Sequence, residues 1–576
     1  MFDAKKDTVI VIPSYEPTEE FFEYAEAVAA AVHTVLVVND GSGEAYEGLF
    51  ARIAAIPGVQ YISYPENHGK GYALKTAFAY CAEHFGSEQV IVTADCDGQH
   101  ALSDILRVAH MAHVHPEALV LGSRDFNQPQ VPKRSRAGNT NIRRLFRLLY
   151  GLDVYDTQTG LRGFSVGLSK LLGTVRGDRF EYEMGVLVHC RRQRIPILEV
   201  PIATIYPEDP KDHVSHFKTF RDSARVVGVL LSNLNRYLIS SALSAALDVL
   251  IFFLISHLLL PEISAINTLI ATVSARVGSS VLNYALNRRL VFGGSDRRAV
   301  IRYYTLWLLQ LGASYGLVFL LGNILGGHLT LMKALGDLLL AIVSYQIQRV
   351  WVFAGERKQR FYRPFGRLVR SFLRAFSHRY RANVITPKEG TLYVCRHLDM
   401  HGPYTTLKWL PFHVHGMVLS TFFDERECYR QYADYTFTAR RGRRAHKFHL
   451  RAFVASRVVA PTIRSMGSIP VYRGGVSALR TLRTATDALL RGESVVVYPD
   501  VAYTAGAEAG GEIYEGFLMI GQLYRRKAER SLRIVPLYID ESRRSITECL
   551  PTAVDDFDRD REAASAHIMA AINGRT

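Results

Sequence analysis

The sequence has few cysteines, and no two of them have the CxxC spacing that is typical of zinc sites. Six cysteines in 576 residues do not form the disulfide framework of a small secreted protein. The first residues, MFDAKKDTVIVIPSYEP, lack a long apolar region and a cleavage site, so no secretory signal is expected. Hydrophobic residues make up 48% and charged residues 21%, which excludes a disordered or low-complexity chain.

Acidic residues are in deficit, with 54 of them against 69 lysines and arginines and a net charge of +15. Such an excess requires an anionic partner, which is a nucleic acid, a phosphate-bearing substrate or a membrane surface. The basic residues flank apolar segments, and no stacking-aromatic motif of a known nucleic-acid-binding type is present. We therefore expect phosphate-bearing lipids and a bilayer as partners, and no nucleic acid.

Long apolar stretches are concentrated in the middle of the chain. There are four such stretches, and each has roughly 20 residues or more. A helix of that length can cross a hydrocarbon core of about 30 Å. The four stretches are Tyr237–Leu260, Ala265–Leu286, Tyr304–Leu325 and Leu329–Val352. Because they follow one another with short connections and charged flanks, they predict four transmembrane helices and not buried helices of a soluble core.

The arginines between these stretches predict the orientation of the spans. The connection between the second and third stretches contains Arg288, Arg289, Arg297, Arg298 and Arg302, whereas the other two turns contain no lysine or arginine. No acidic residue occurs from Arg357 to Arg381. The positive-inside rule then places both termini in the cytoplasm, as expected for a multi-pass protein of a bacterial plasma membrane.

These patterns predict a multidomain chain with four parts. They are a soluble part at 1–232, a membrane part at 233–355, a basic juxtamembrane connector at 356–383 and a second soluble part at 384–576.

The first soluble part alternates short apolar runs with helical patterns such as Thr18–Val32 and Lys70–His84. This alternation predicts a doubly wound α/β sheet, in which ligands bind at the carboxyl ends of the strands. Asp40, Asp95 and Asp97 each follow a predicted strand. Two carboxylates spaced as Asp95 and Asp97 can hold Mg²⁺ or Mn²⁺ against a diphosphate, although an isolated pair is more often a solvated turn.

The order of the motifs resembles glycosyltransferase family 2, in particular its dolichyl- and polyprenyl-phosphate sugar transferases. The resemblance covers about residues 7–232 and implies a GT-A-type fold. The matching segments are Pro13–Glu16, Val38–Ser42, Asn67–Gly71, Asp95–His100, Gly122–Arg124 and Asp156–Gly160. Cys96 departs from the family, which more often has a small residue such as alanine at that position.

The resemblance also implies roles for individual residues. Asp95 and Asp97 would bind the metal, and Asp97, Gln99 and Arg124 would be catalytic. The nucleotide-sugar donor would contact Pro13, Tyr15, Glu16, Asp40, Lys70 and Asp95. The acceptor phosphate would meet His213, His216 and Lys218, unless these form an ordinary interfacial cluster for anionic lipid. Since a phosphate acceptor needs no general base, direct in-line displacement with inversion is expected.

The membrane part resembles the GtrA-like family, which is associated with translocating polyprenyl-phosphate sugars or anchoring their transferases. The resemblance rests on the four spans and on Asn283, Asn287 and Arg288–Arg289 beside LVF. Asp248 and Arg276 fall within spans, where a charge is costly unless it is paired. They are expected either to pair or to line a polar path for a lipid head group.

The second soluble part resembles the lysophosphatidate and glycerol-phosphate acyltransferase family, an α/β fold, across about residues 388–545. His397 matches the general base of that family's HX4D motif, but Gly402 stands where the motif has Asp. Asp399 would substitute as the catalytic residue that orients His397. Arg473 would hold an acceptor phosphate. Two functions are possible for this part. It is either an active acyltransferase that uses acyl-CoA or acyl carrier protein, or a lipid-binding module without catalytic activity.

For the whole chain, we expect sugar transfer from a nucleotide sugar to a lipid phosphate at the cytoplasmic face, with a second, acylating activity. A lipid-linked-sugar translocator with accessory soluble domains is the alternative. A processive polysaccharide synthase is disfavoured because the sequence lacks the Gln-x-x-Arg-Trp motif of such enzymes.

Overall fold

A computed structural model describes two compact units, Met1–Lys358 and Gln359–Thr576. Each unit is built around its own seven-stranded sheet. The structure describes residues 3–129, 131–205, 219–259, 265–292, 299–310, 313, 339–353, 364–398, 400–436, 449–472, 475–500 and 513–574.

The sheet of the first unit has the strand order β3-β2-β1-β4-β6-β5-β7. Its strands are β1 (Thr8–Ser14), β2 (Thr34–Asp40), β3 (Val59–Tyr64), β4 (Val90–Thr93), β5 (Leu119–Ser123), β6 (Arg162–Ser165) and β7 (Ile197–Pro201). Neighbouring strands are parallel except where β6 pairs with β4 and β5. Runs such as Val9–Ile12 form strands because β-branched side chains pack well in a sheet buried on both faces.

Helices alternate with these strands, which confirms the predicted α/β organisation. The predicted helix at Lys70–His84 has those bounds in the structure, and the one at Thr18–Val32 spans Glu20–Ala31. The helices up to residue 205 are Ala4–Asp7, Glu20–Ala31, Glu47–Ala54, Lys70–His84, Leu102–Val114, Lys133–Tyr150, Val166–Gly173 and Glu181–Gln193.

The apolar part of the first unit begins with the long helix Thr219–Phe253, which runs without a break through the predicted boundary at residue 232. Among the described residues, one helix, Arg221–Leu259, is long and apolar enough to cross a membrane. Only 11% of its most apolar window is buried, whereas a core helix of a soluble protein is mostly buried. Helix Ala265–Leu286 packs against it.

Most of the predicted third span and the first ten residues of the fourth, 329–338, fall outside the described residues, so the count of four spans stays a prediction. Asp248 and Arg276 do face each other, with 3.8 Å between the Arg276 Nε and the Asp248 Oδ1. Ser279 also donates a hydrogen bond to Asp248 at 3.0 Å. Of the two predicted arrangements, pairing with each other or lining a polar path, the structure shows that Asp248 and Arg276 pair.

Buried hydrogen bonds join the apolar helices to the α/β part of the same unit. The Tyr150 hydroxyl donates to the main-chain oxygen of Leu230 at 2.9 Å, and the Tyr345 hydroxyl donates to that of Leu149 at 3.2 Å. Buried polar groups are costly to leave unpaired, so these bonds fix the α/β part against the apolar helices.

The sheet of the second unit has the order β11-β10-β12-β9-β13-β14-β8. It consists of β8 (Arg381–Asn383), β9 (Leu392–Cys395), β10 (Val414–Leu419), β11 (Ile469–Val471), β12 (Ser494–Val497), β13 (Ile534–Asp540) and β14 (Ser545–Glu548). Only β13 with β14 is antiparallel among the described pairs. The helices are Pro364–Ala375, His401–Trp409, Glu425–Arg430, His449–Ser465, Gly475–Leu490, Met519–Ala528 and Phe557–Ile572.

The predicted connector at 356–383 does not lie apart from the second unit where it is described. Its last residues form β8, which pairs with β14, and Pro364–Ala375 packs on the same unit. The positive charge of this segment predicted a connector separate from both soluble parts. In the structure, Arg370 instead donates to the main-chain oxygens of Lys408 and Leu410 in the second unit.

Candidate functional site

The carboxyl ends of β1, β2 and β4 form one edge of the first sheet, because these strands are neighbours and parallel. Asp40 is the last residue of β2, and Asp95 and Asp97 follow β4 directly. The topology therefore brings the three predicted aspartates to the same edge, where α/β sheets bind ligands.

Lys70 is the central cation of this edge. Its Nζ lies 2.7 Å from Asp95 Oδ1 and 2.8 Å from Glu183 Oε1, and its side chain is 19% exposed. Burial acts to raise the pKa of Asp95, but the charge of Lys70 and a hydrogen bond with His100 outweigh it and hold that pKa well below its usual range. Asp95 is thus ionised and fixed in place by protein groups.

Gly160 gives Asp95 the space it needs. A Cβ atom at position 160 would overlap both carboxylate oxygens of Asp95. The loop is held there by Thr93, whose hydroxyl donates to the main-chain oxygen of Gly160 at 2.6 Å. The glycine that ends the Asp156–Gly160 motif is therefore explained by a close approach of backbone to carboxylate.

Asp97 points to the exposed side of the same edge. Its Oδ1 accepts a hydrogen bond from the main-chain N–H of Gln99 at 3.2 Å. Partial desolvation and the negative charge of Asp95 raise the pKa of Asp97, although the residue is exposed. A divalent cation would offset this repulsion, and carboxylate oxygens are the ligands that Mg²⁺ and Mn²⁺ prefer.

In the described part of the chain, no group of three or more His, Cys, Asp or Glu residues is arranged to hold a metal ion. A cation at Asp97 would thus take most of its ligands from a diphosphate and from water, as Mg²⁺ commonly does. The residues present fit such a substrate-borne metal.

Cys96, between the two aspartates, has a thiol of low reactivity. Burial raises the pKa of its thiol to about 11, and the nearby carboxylates act in the same direction. Because the thiolate is the nucleophile and metal ligand, a thiol that stays protonated at neutral pH supplies neither. The departure from the family at this position leaves the two aspartates in place.

Asp40 is 2% exposed and is engaged by protein donors. Its carboxylate accepts hydrogen bonds from the Tyr64 hydroxyl at 2.8 Å, the Asn67 side chain at 3.1 Å, and the main-chain N–H groups of His68 at 3.0 Å and Gly69 at 2.8 Å. It therefore anchors the loop that leads into Lys70, and its contact with a nucleoside stays a prediction.

Pro13 lies in β1, which is buried along its whole length, and Tyr15 and Glu16 follow that strand at the same edge. Glu16 has a φ of 46°, and its N–H donates to the Ser42 hydroxyl at 2.9 Å, which ties the loop after β1 to the loop after β2. A positive φ is unusual for a residue with a side chain and indicates a tightly specified loop.

Arg124 follows β5 and is held by Asp156. The Arg124 Nε lies 2.7 Å and its Nη2 3.3 Å from the two carboxylate oxygens of Asp156, which is fully buried. Paired bonds of this kind fix both the position and the plane of a guanidinium. The sequence predicted a role for Arg124 but not its pairing with Asp156. It also did not predict the contact of Glu183 with Lys70.

Five predicted site residues lie outside the described residues. They are His213, His216 and Lys218 of the acceptor site, and Asp399 and Arg473 of the second unit.

His397 follows β9 in the second unit and lies close to Asp500. Its main-chain N–H donates to Asp500 Oδ2 at 2.8 Å, and its ring lies 6.3 Å from that of Tyr498. Asp500 is 7% exposed, and burial raises its pKa. Leu398 and Met400 both have positive φ angles, so the loop after His397 has the strained backbone found at many functional sites.

Gly402 leaves no room for the aspartate of the HX4D motif, because a Cβ atom there would overlap the main-chain oxygen of Arg396. We expect Gly402→Asp to destabilise the loop by about 1–3 kcal/mol or more and to restore no pairing with His397. Hydrogen exchange of peptides from residues 392–409 measures the loss. Gly516→Ala, at a position with open space around it, is the control and should change little. Unchanged protection in Gly402→Asp would contradict this account.

Two family models match separate segments of the chain. Residues 9–174 match glycosyl transferase family 2, and residues 236–353 match the GtrA/DPMS transmembrane domain. The chain carries a family 2 glycosyltransferase domain. The predicted GT-A-type α/β domain and the GtrA-like membrane domain are thereby confirmed, whereas the acyltransferase-like assignment of the second unit stays a prediction.

Relatives and solved structures are similar to part of the chain. An uncharacterized protein of Methanocaldococcus jannaschii is 29% identical over 209 residues, which is 35% of this chain and 84% of that protein. The UDP-N-acetylglucosamine–dolichyl-phosphate N-acetylglucosaminyltransferase of Methanococcus voltae is 35% identical over 151 residues, which is 26% of this chain and 59% of that enzyme. Glucosyl-3-phosphoglycerate synthase of Mycobacterium tuberculosis, solved with Mn²⁺, UDP and glucosyl-3-phosphoglycerate, is 18% identical with a TM-score of 0.31, over 40% of this chain and 80% of that one.

Proposed function

We propose that this chain is a membrane glycosyltransferase that moves a sugar from a nucleotide-sugar donor to a polyprenyl-phosphate-type lipid at the cytoplasmic face. The observation that carries the proposal is the placement of Asp95, Asp97 and Lys70 at one edge of a family 2 glycosyltransferase domain. The match of residues 236–353 to a GtrA/DPMS transmembrane domain supports a lipid acceptor, as does the similarity to a transferase named for dolichyl phosphate.

The residues of the edge have separate tasks in this proposal. A bound Mg²⁺ or Mn²⁺, held at Asp97 with the donor's diphosphate, would neutralise charge that develops on the leaving group. Lys70 and His100 hold Asp95 ionised beside it. Arg124, fixed by Asp156, presents a positive charge at the end of β5. Such preorganised charges stabilise a transition state without rearrangement.

The reaction that fits is a single in-line displacement with inversion. An oxygen of the acceptor phosphate forms the bond to the anomeric carbon while the bond from that carbon to the diphosphate breaks. The nucleoside diphosphate leaves with the bonding electron pair, and no proton has to be removed from the acceptor. This explains why the site needs charge and position more than a general base.

The test uses the full chain in sealed vesicles with UDP- or GDP-sugars and polyprenyl phosphate. Lipid-linked sugar should form with Mg²⁺ or Mn²⁺ and should cease to form in EDTA. Turnover with none of the donors would overturn the proposal. Labelled product that appears in the opposite leaflet would instead favour the translocator, so the leaflet of the product is measured in the same vesicles.

A second activity is proposed for the second unit, which would acylate the glycolipid or its acceptor with His397 as general base. The strained loop at Leu398 and Met400 and the buried Asp500 beside His397 favour a site over a module without chemistry. We expect His397→Ala to lower transfer of labelled acyl groups about 100-fold or more, as loss of a general base does. His567→Ala, a histidine bound to a main-chain oxygen in the same unit, is the control. Transfer that is unchanged in His397→Ala would exclude His397 as the base.

A further inference from the structure

The helix Pro364–Ala375 packs on the second unit with arginines and turns apolar side chains outward. Arg370 donates to the main-chain oxygens of Lys408 at 3.0 Å and Leu410 at 2.7 Å, and Arg374 donates to that of Lys408 at 2.6 Å. The apolar side chains on the other side are exposed: Phe365 by 43%, Leu368 by 68%, Phe372 by 63% and Phe376, just after the helix, by 79%. A surface helix of a soluble protein has the reverse arrangement.

A second helix, His449–Ser465, also carries exposed apolar side chains. Leu450, Phe453, Val454 and Val458 recur on one side of it, and their exposed fractions lie between 46% and 74%. The two helices are in contact, because the main-chain N–H of Gly366 donates to the Ser465 hydroxyl at 2.7 Å. These four side chains and the four of the preceding helix are here called the two-helix face. Large apolar side chains that cluster in this way mark an interaction surface.

The charge around the two-helix face favours a lipid bilayer as its partner. Arg367, Arg379 and Arg451 are exposed on or beside the same helices, and no acidic residue occurs between Arg357 and Arg381. An amphipathic helix with apolar side chains on one face and arginines near them binds the interface of an anionic membrane.

The chain itself also keeps this face near a membrane. Ten residues, 354–363, separate Phe353, at the end of the GtrA/DPMS match, from Pro364. The eleven steps from Phe353 to Pro364 reach at most about 40 Å when extended. The helix Pro364–Ala375 thus begins within that distance of the end of the membrane domain.

We infer that the second unit binds the cytoplasmic bilayer surface directly, through the two-helix face, in addition to its covalent link to the membrane domain. The inserted side chains are apolar and the flanking arginines meet anionic lipid head groups. The site at His397 would then take its substrates from the lipid layer. This inference does not depend on the proposed sugar transfer.

The experiment places a photoreactive benzoylphenylalanine at Leu368 or at Leu450 in the full chain, reconstituted in nanodiscs that contain phosphatidylglycerol. Matched controls carry it at Arg559 and at Lys527, which are exposed positions of the same unit. Lipid adducts should form several-fold more from positions 368 and 450 than from the controls. Adducts between two copies of the chain, or lipid adducts no more abundant than in the controls, would overturn the inference.

A charge substitution tests whether the two helices act as one face. Leu368→Glu with Phe372→Glu should lower the lipid adducts from position 450 several-fold, whereas Arg559→Glu should leave them unchanged. Both replaced side chains are more than half exposed, so the fold should tolerate the change, and intact hydrogen-exchange protection of β9 would show it. Adducts from position 450 that persist in the double variant would contradict a shared face.

Discussion

Asp97→Ala should reduce kcat for sugar transfer by about 100- to 1,000-fold, as the loss of one preorganised electrostatic group does. The reason is its position: Asp95 is already bound by Lys70 and His100, so Asp97 is the exposed carboxylate beside it that fits a cation on the donor diphosphate. The measurement is the rate of lipid-linked sugar formation at saturating donor, with Mg²⁺ or Mn²⁺ varied in each assay.

The metal dependence separates this role from a structural one. Asp97→Asn keeps the size of the side chain and the hydrogen bond from Gln99, and it should still lose most activity and require more metal for half-maximal rate. Glu83→Gln removes an exposed carboxylate of the same domain and should behave as wild type. If Asp97→Asn kept the wild-type rate and metal requirement, Asp97 would not be a metal ligand.

The sequence was sufficient for the layout of the site, because the layout follows from local patterns. Apolar runs that end in Asp40 or just before Asp95 predict parallel strands, and parallel strands bring their carboxyl ends to one edge. It was not sufficient for the partners. The contact between Lys70 and Glu183 joins two helices more than a hundred residues apart, and a single sequence contains no pattern for such a pair.

Contacts between distant residues also explain why the described part of the segment 356–383 packs on the second unit and is not a separate connector. Nine lysines and arginines without an acidic residue, from Arg357 to Arg381, predict a solvated segment next to a membrane. In the structure the buried Arg370 binds main-chain oxygens of the second unit, which no charge count reveals. The spacing of Phe365, Leu368 and Phe372 on one side of a helix was present in the sequence, but whether that side faces inward is decided by tertiary packing.

The second large effect is expected from Lys70→Met. This variant leaves the carboxylates of Asp95 and Glu183 facing each other without their shared cation, and their side chains are only 31% and 10% exposed. Removing one partner of a buried pair costs about 3–5 kcal/mol. Because Asp95 keeps some contact with water, we expect about 3 kcal/mol, which is a loss of roughly 100-fold in hydrogen-exchange protection of helix Lys70–His84.

Lys75→Met is the matched control on the same helix. Lys75 pairs with Asp178 at 2.5 Å, but the Asp178 side chain is 58% exposed, so the loss of that pair should cost less than about 1 kcal/mol. Equal losses of hydrogen-exchange protection in the two variants would show that the Lys70 contacts stabilise the helix no more than the exposed Lys75 pair does.

A double variant distinguishes charge from packing at this position. If uncompensated charge is the cause, Lys70→Met combined with Glu183→Gln should recover a large part of the lost protection, because one lone carboxylate, Asp95, then faces the solvent edge. If lost packing is the cause, the double variant should be no more protected than Lys70→Met. Sugar transfer should stay low in either case, since the cation that holds Asp95 in place is missing. Recovery of protection without recovery of activity would therefore assign Lys70 two separable roles, one in stability and one in positioning the carboxylate beside Asp97.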